Sequence, residues 1–165
     1  MNTPNRYNPV MVVLHWLTVL LILGAGLLSD SEGSSSPINI HMILGSLLLL
    51  VLVVRLIVRF ATKRPAWANT GNPFLNKLGE FVHIGLYFFA FYILTMGALI
   101  ASQRNLVGYV LGTGTVSRGN LGLLGPLHEL GWFAIVGLLL LHVGGAIYHQ
   151  FIIKDNLLKR MWFAA

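Results

Sequence analysis

Four apolar runs, at about 9–29, 38–60, 75–101 and 127–153, are each close to or above the roughly 20 residues a helix needs to cross a hydrocarbon core. Nothing else in the sequence restricts the fold as strongly. A lipid-immersed backbone must satisfy its own hydrogen bonds, so each run becomes a helix. The expected fold is all-α: a four-helix transmembrane bundle forming a single domain over residues 1–165. Composition agrees, with 56% hydrophobic and 10% charged residues and a mean hydropathy of +0.76.

The connections are equally legible. Ser29 to Pro37 is a polar turn whose Pro37 suits a helix start. Thr62 to Pro73 carries Lys63, Arg64, Pro65, Gly71 and Pro73 and breaks any helix. Ser102 to Pro126 is the longest link, with six glycines and two charges, Arg104 and Arg118, and a loop of that length is more often functional than idle.

Arg6, Arg55, Arg59, Lys63, Arg64, Lys77, Lys154, Lys159 and Arg160 gather on one side of the predicted topology, against Arg104 and Arg118 on the other. By the positive-inside rule both termini and the 61–74 loop are cytoplasmic, and the two remaining loops face outward. The first run reads as a retained span: Arg6 alone charges its flank, and His15-Trp16 interrupts the apolar stretch. Trp16, Trp67, Trp132 and Trp162 fall near span ends, where aromatic side chains anchor at the interface. The net charge of +6 is accounted for by this asymmetry, and with no soluble basic domain nucleic acid is not an expected partner.

All six histidines, His15, His41, His83, His128, His142 and His149, lie in or at the rims of these apolar runs. A polar group at bilayer depth is costly without a partner and is read first as functional. Imidazole is a common axial ligand of haem iron, and the absence of cysteine removes thiolate ligation, iron–sulfur clusters and covalent haem attachment. His128 and His142 are fourteen residues apart, which puts them on one helix face about 21 Å apart along the axis. One helix can therefore carry a ligand for each of two stacked centres. His41 and His128 open their spans near the outer face and form one pair. His15, His83, His142 and His149 fall in the inner half, and only two of these four can ligate a second haem. Zinc, copper and non-haem iron sites want clustered ligands, often with carboxylates, and only Asp30, Glu32, Glu80, Glu129 and Asp155 are available.

The chain resembles the bacterial cytochrome b561 family and the related cytochrome b subunits of nickel hydrogenases and formate dehydrogenases. The features are Leu14-His15-Trp16, Asn39-Ile40-His41, Val54-Arg55-Leu56-Ile57-Val58-Arg59, His83-Ile84-Gly85-Leu86-Tyr87, then His128, His142, His149 and Lys154-Asp155-Asn156-Leu157-Leu158. The resemblance implies two haem b groups, the outer held by His41 and His128 and the inner by His15 and His142. It puts His83 and His149 beside the inner haem, at a quinone or a haem propionate, with Arg55 and Arg59 as propionate partners. Among short members is a superoxide oxidase, which implies superoxide as a donor on the outer side, steered by Arg104 and Arg118, and ubiquinone or another quinone as acceptor. The alternative implied function is the haem-bearing membrane anchor of a periplasmic dehydrogenase or hydrogenase, fed by a periplasmic redox partner. Membrane lipid is a partner in either case.

Overall fold

A computed structural model describes residues 4–27, 35–117 and 119–162, and among these the chain is all-helical, with the four long apolar helices of a transmembrane bundle. The long helices are α1 (Pro9–Leu27), α2 (Ser35–Ala61), α3 (Pro73–Gln103) and α5 (Leu124–Tyr148), with the short α4 (Leu106–Val110) between the last two. A π-helical turn (His149–Ile153) and a 3₁₀ turn (Leu157–Met161) follow α5.

Two helix starts use the same local device. Asn8 Oδ1 accepts the Val10 N–H (2.9 Å) ahead of α1, and Asn72 Oδ1 accepts the Phe74 N–H (2.9 Å) ahead of α3. Each asparagine is an N-cap, and Pro9 or Pro73 takes the first helical position, where no amide hydrogen is needed. This moves the start of α3 back from the expected 75 to Pro73: the proline that ends the preceding loop also begins the helix. Helix α5 likewise starts at Leu124, earlier than the expected 127, because Pro126 lies in its first turn, where proline is tolerated. The last two residues expected of the first span, and most of the Ser29–Pro37 turn with Asp30 and Glu32, lie outside the described residues.

The chain forms two compact units, Met1–His83 with Leu140–Ala165, and Ile84–Leu139. In the first, α1 packs on α2, and Met11, Val12, Leu14, Leu21 and Ile22 are buried along with Leu48, Val51 and Leu52. In the second, Ala90, Ala101, Ile135 and Leu138 are buried. Many other large apolar side chains, Leu20, Leu50, Ile84 and Leu140 among them, stand exposed, as membrane helices require where lipid is the solvent. Hydroxyls within the spans return to their own helix: Thr18 donates to the Leu14 carbonyl (2.6 Å) and Ser46 to that of Met42 (2.8 Å).

The connection between α3 and α5 is not a bare loop. Asn105, left-handed at φ 52°, opens α4, and its side-chain amide donates to the Thr115 carbonyl (3.3 Å). A Cβ on Gly108 or Gly114 would stand 2.7 or 2.6 Å from that side chain, so two of the six loop glycines make room for it.

In the second unit α3 and α5 approach closely at Gly131, where a Cβ would lie 3.0 Å from the Tyr92 ring and 3.3 Å from Ile93 Cβ. Replacing Gly131 with valine should therefore overpack this contact and cost about 1–3 kcal/mol. A thermal melt of the detergent-solubilised protein checks it, and an unchanged midpoint would refute the contact.

Candidate functional site

Three of the inner-half histidines come together in the first unit. His15 from α1 and His142 from α5 have ring centroids 6.2 Å apart, and His83 from α3 lies 4.9 Å from His142, edge to face. Their anchoring differs. His83 Nδ1–H donates to the Gly79 carbonyl (2.7 Å), one turn back on its own helix. Arg55 Nη2 of α2 donates to His15 Nδ1 (2.9 Å). A guanidinium has only donors, so His15 Nδ1 is an acceptor here and the proton of the neutral ring stands on Nε2.

Aromatic residues brace this cluster. The Trp16 ring meets His15 at 5.5 Å and Trp162 at 5.5 Å, and its Nε1–H donates to the Met161 carbonyl (2.9 Å). Trp67 meets His83 at 5.6 Å, with Arg64 5.8 Å over its ring. Trp16 and Trp67 were expected as interfacial anchors, and each also packs on a histidine.

The fourth histidine expected in the inner half, His149, has a different partner. It is buried, 7% exposed, and its Nδ1–H donates to Asp155 Oδ2 at 2.8 Å. Helix α5 widens into the π-helical turn at this residue, and the His149 carbonyl accepts the Lys154 N–H (2.8 Å). Lys154 and Asn156 are both left-handed, at φ 61° and 56°.

The histidines expected near the outer face share one kind of anchor. His41 Nδ1–H donates to the Ala25 carbonyl of α1 (2.9 Å) in the first unit. His128 Nδ1–H donates to the Ile93 carbonyl of α3 (3.0 Å) in the second, and a Cβ on Gly97 would stand 3.2 Å from the His128 ring. In both, the bond fixes the ring's orientation through Nδ1, as a backbone carbonyl does for a metal-bound histidine. Of the two arginines expected to steer substrate, Arg104 follows α3 with its Nε buried and without a hydrogen-bond partner among the described residues, and Arg118 lies outside them. Arg59 is half-buried one turn beyond Arg55.

The sequence model of the family described as prokaryotic cytochrome b561 matches residues 6–164. The chain belongs to that family. It is therefore a membrane electron-transfer protein, and its cofactor is haem b. Cytochrome b561 homolog 2 of Escherichia coli K12 is 28% identical over 175 residues, covering 97% of this chain and 93% of the relative. Cytochrome b561 homolog 1 of the same organism is 25% identical, covering 95% and 97%. A probable superoxide oxidase, CybB, of Yersinia pestis is 24% identical, covering 94% of this cytochrome and 95% of the relative.

Two features of this cytochrome b561 were not read from its sequence. Asp155 is the partner of His149, and the 3₁₀ turn is tied back to α1 through Trp16. Both depend on where the chain turns after α5. An acid six residues from a histidine gives no helical-face signal, since it would lie about 9 Å along and 240° around a continuous α-helix.

Trp16→Phe keeps the ring contacts and removes the bond to Met161, for an expected loss of about 1 kcal/mol. Amide hydrogen exchange should quicken over 157–162 and stay constant in α2. Equal protection in both proteins would mean that the tie does not hold the turn.

Proposed function

We propose that this cytochrome carries two haem b groups, the outer between His41 and His128 and the inner between His15 and His142, and passes electrons from superoxide to a membrane quinone. The observation that carries the inner pairing is the 6.2 Å separation of the His15 and His142 ring centroids. Two imidazoles bound to one metal from opposite sides, through bonds of about 2 Å, keep their ring centres roughly 6 Å apart. For the outer pair the support is chemical: His41 and His128 each anchor Nδ1–H on a backbone carbonyl, the kind of bond that orients a metal-binding imidazole.

With haem held at Nε2, the His15 ring proton would stand on Nδ1, which could then no longer accept from Arg55. Arg55, with Arg59, would be the partner of the inner haem's carboxylates.

Haem b supplies one-electron transfer, and the protein supplies position, insulation and charge. Superoxide arrives on the outer side, where Arg104 and Arg118 attract it. Two superoxide ions each lose one electron and leave as dioxygen, and the quinone takes two electrons and two protons to become quinol. His83 and His149 serve the quinone side, where an imidazole N–H can donate a hydrogen bond to a quinone oxygen. The termini are cytoplasmic, in the bacterial inner membrane, by the distribution of lysine and arginine. The 24% identity to a probable superoxide oxidase favours superoxide as the donor.

A pyridine haemochrome assay on the purified chain should give two haems b. His41→Ala or His128→Ala should lose the outer one alone, and His15→Ala or His142→Ala the inner one alone. Loss of both haems from every single variant would overturn the pairing. Superoxide should reduce the bound haem and a short-chain ubiquinone reoxidise it. Haems that ignore superoxide would instead assign the chain as a partner-fed electron-transfer subunit.

A further inference from the structure

The His149–Asp155 pair exists only because the backbone departs from the α-helix. In a continuous helix the two side chains would point apart, about 9 Å separated along the axis. The π-helical turn and the left-handed Lys154 and Asn156 double the chain back until Asp155 Oδ2 meets His149 Nδ1 at 2.8 Å. Left-handed backbone is unfavourable for a lysine, though asparagine tolerates it, and single π turns recur at functional sites. The carboxylate is itself held: its Oδ1 accepts the Leu157 N–H at 3.0 Å.

Asp155 is also the link between this ring and water. A cavity of about 340 Å³ is lined by Asp155 together with Arg6, Pro65, Lys159 and Arg160. Its walls are joined by the Tyr7 N–H on the Arg160 carbonyl (3.2 Å) and by Arg160 Nη1 on the Ala66 carbonyl (2.9 Å). The His149 side chain is 9% exposed and that of Asp155 24%.

We propose that Asp155 is a positioning residue that makes His149 the proton donor for quinone reduction. This rests on the reading that His149 serves the quinone. With Nδ1–H held by Asp155, proton exchange falls to Nε2, and the carboxylate stabilises the ring when both nitrogens carry protons. The logic is that of a carboxylate behind a catalytic imidazole. In the step itself the Nε2–H bond breaks and an O–H bond forms on the quinone oxygen, which has received its electron from haem. The ring is left neutral with Nδ1–H still on Asp155, and water protonates Nε2 for the next cycle. Two such steps accompany two electrons per quinol. Arg6, Lys159 and Arg160 line the cavity with Asp155, and Tyr148 lies edge to face with His149 at 6.4 Å.

The test uses purified haem-loaded protein, reduced with stoichiometric dithionite and mixed with a short-chain ubiquinone at neutral pH. Asp155→Asn should keep the haem spectrum and its reduction by superoxide, and slow reoxidation by quinone by about 10²-fold. Asp155→Glu should recover most of the rate. A wild-type rate in Asp155→Asn overturns the proposal, as does an Asp155→Glu rate no faster than that of Asp155→Asn. Should Asp155→Asn not fold, Asp155→Glu decides: a rate as low as that of His149→Gln counts against a role for the carboxylate. Failure of the underlying reading is separate, since then wild-type haem is not reoxidised by quinone, or His149→Gln reoxidises at the wild-type rate.

Discussion

A nitrogen that can carry a proton needs a partner at bilayer depth, and much of this protein's interior is an answer to that need. Five of six imidazoles place Nδ1 on a named group: a backbone carbonyl for His41, His83 and His128, a guanidinium for His15, a carboxylate for His149. Hydrogen bonds between membrane helices contribute little each, about 0.6 kcal/mol. Their value here is orientation. Fixing one ring nitrogen constrains what the other can do, and the kinds of partner differ in which nitrogen keeps the proton.

Backbone carbonyls favour ligation, because they keep the proton on Nδ1 and leave Nε2 with a lone pair. The guanidinium favours the reverse tautomer, so His15 and Arg55 must exchange partners if iron is to bind at Nε2. The carboxylate holds Nδ1–H of His149 and fixes which way that ring faces. His149 differs from the other three histidines of the inner group in its partner, not in residue type or surroundings.

Depth sorting, drawn from spacing alone, put His15, His83, His142 and His149 together in one half of the membrane without distinguishing among them. The structure brings three into ring contact and turns the fourth away onto Asp155. The helix starts illustrate the same division on a smaller scale. Asn-Pro at 8–9 and at 72–73 is a readable cap, yet Pro73 reads equally well as the end of a loop. Which reading holds depends on where the Asn72 side chain bonds.

The sequence by itself determined the four spans, the grouping of histidines by depth, the asymmetry of basic charge and the family. These follow from composition and one-dimensional period, because the bilayer permits a single backbone solution for an apolar run of that length. Tertiary structure decided the partners. The Arg55–His15 bond joins residues 40 apart in sequence, Trp16 reaches Met161 across 145, and Asp155 meets His149 through backbone angles no helical period encodes. A hydrogen bond depends on distances of a few tenths of an ångström between atoms whose separation along the chain carries no information about their separation in space.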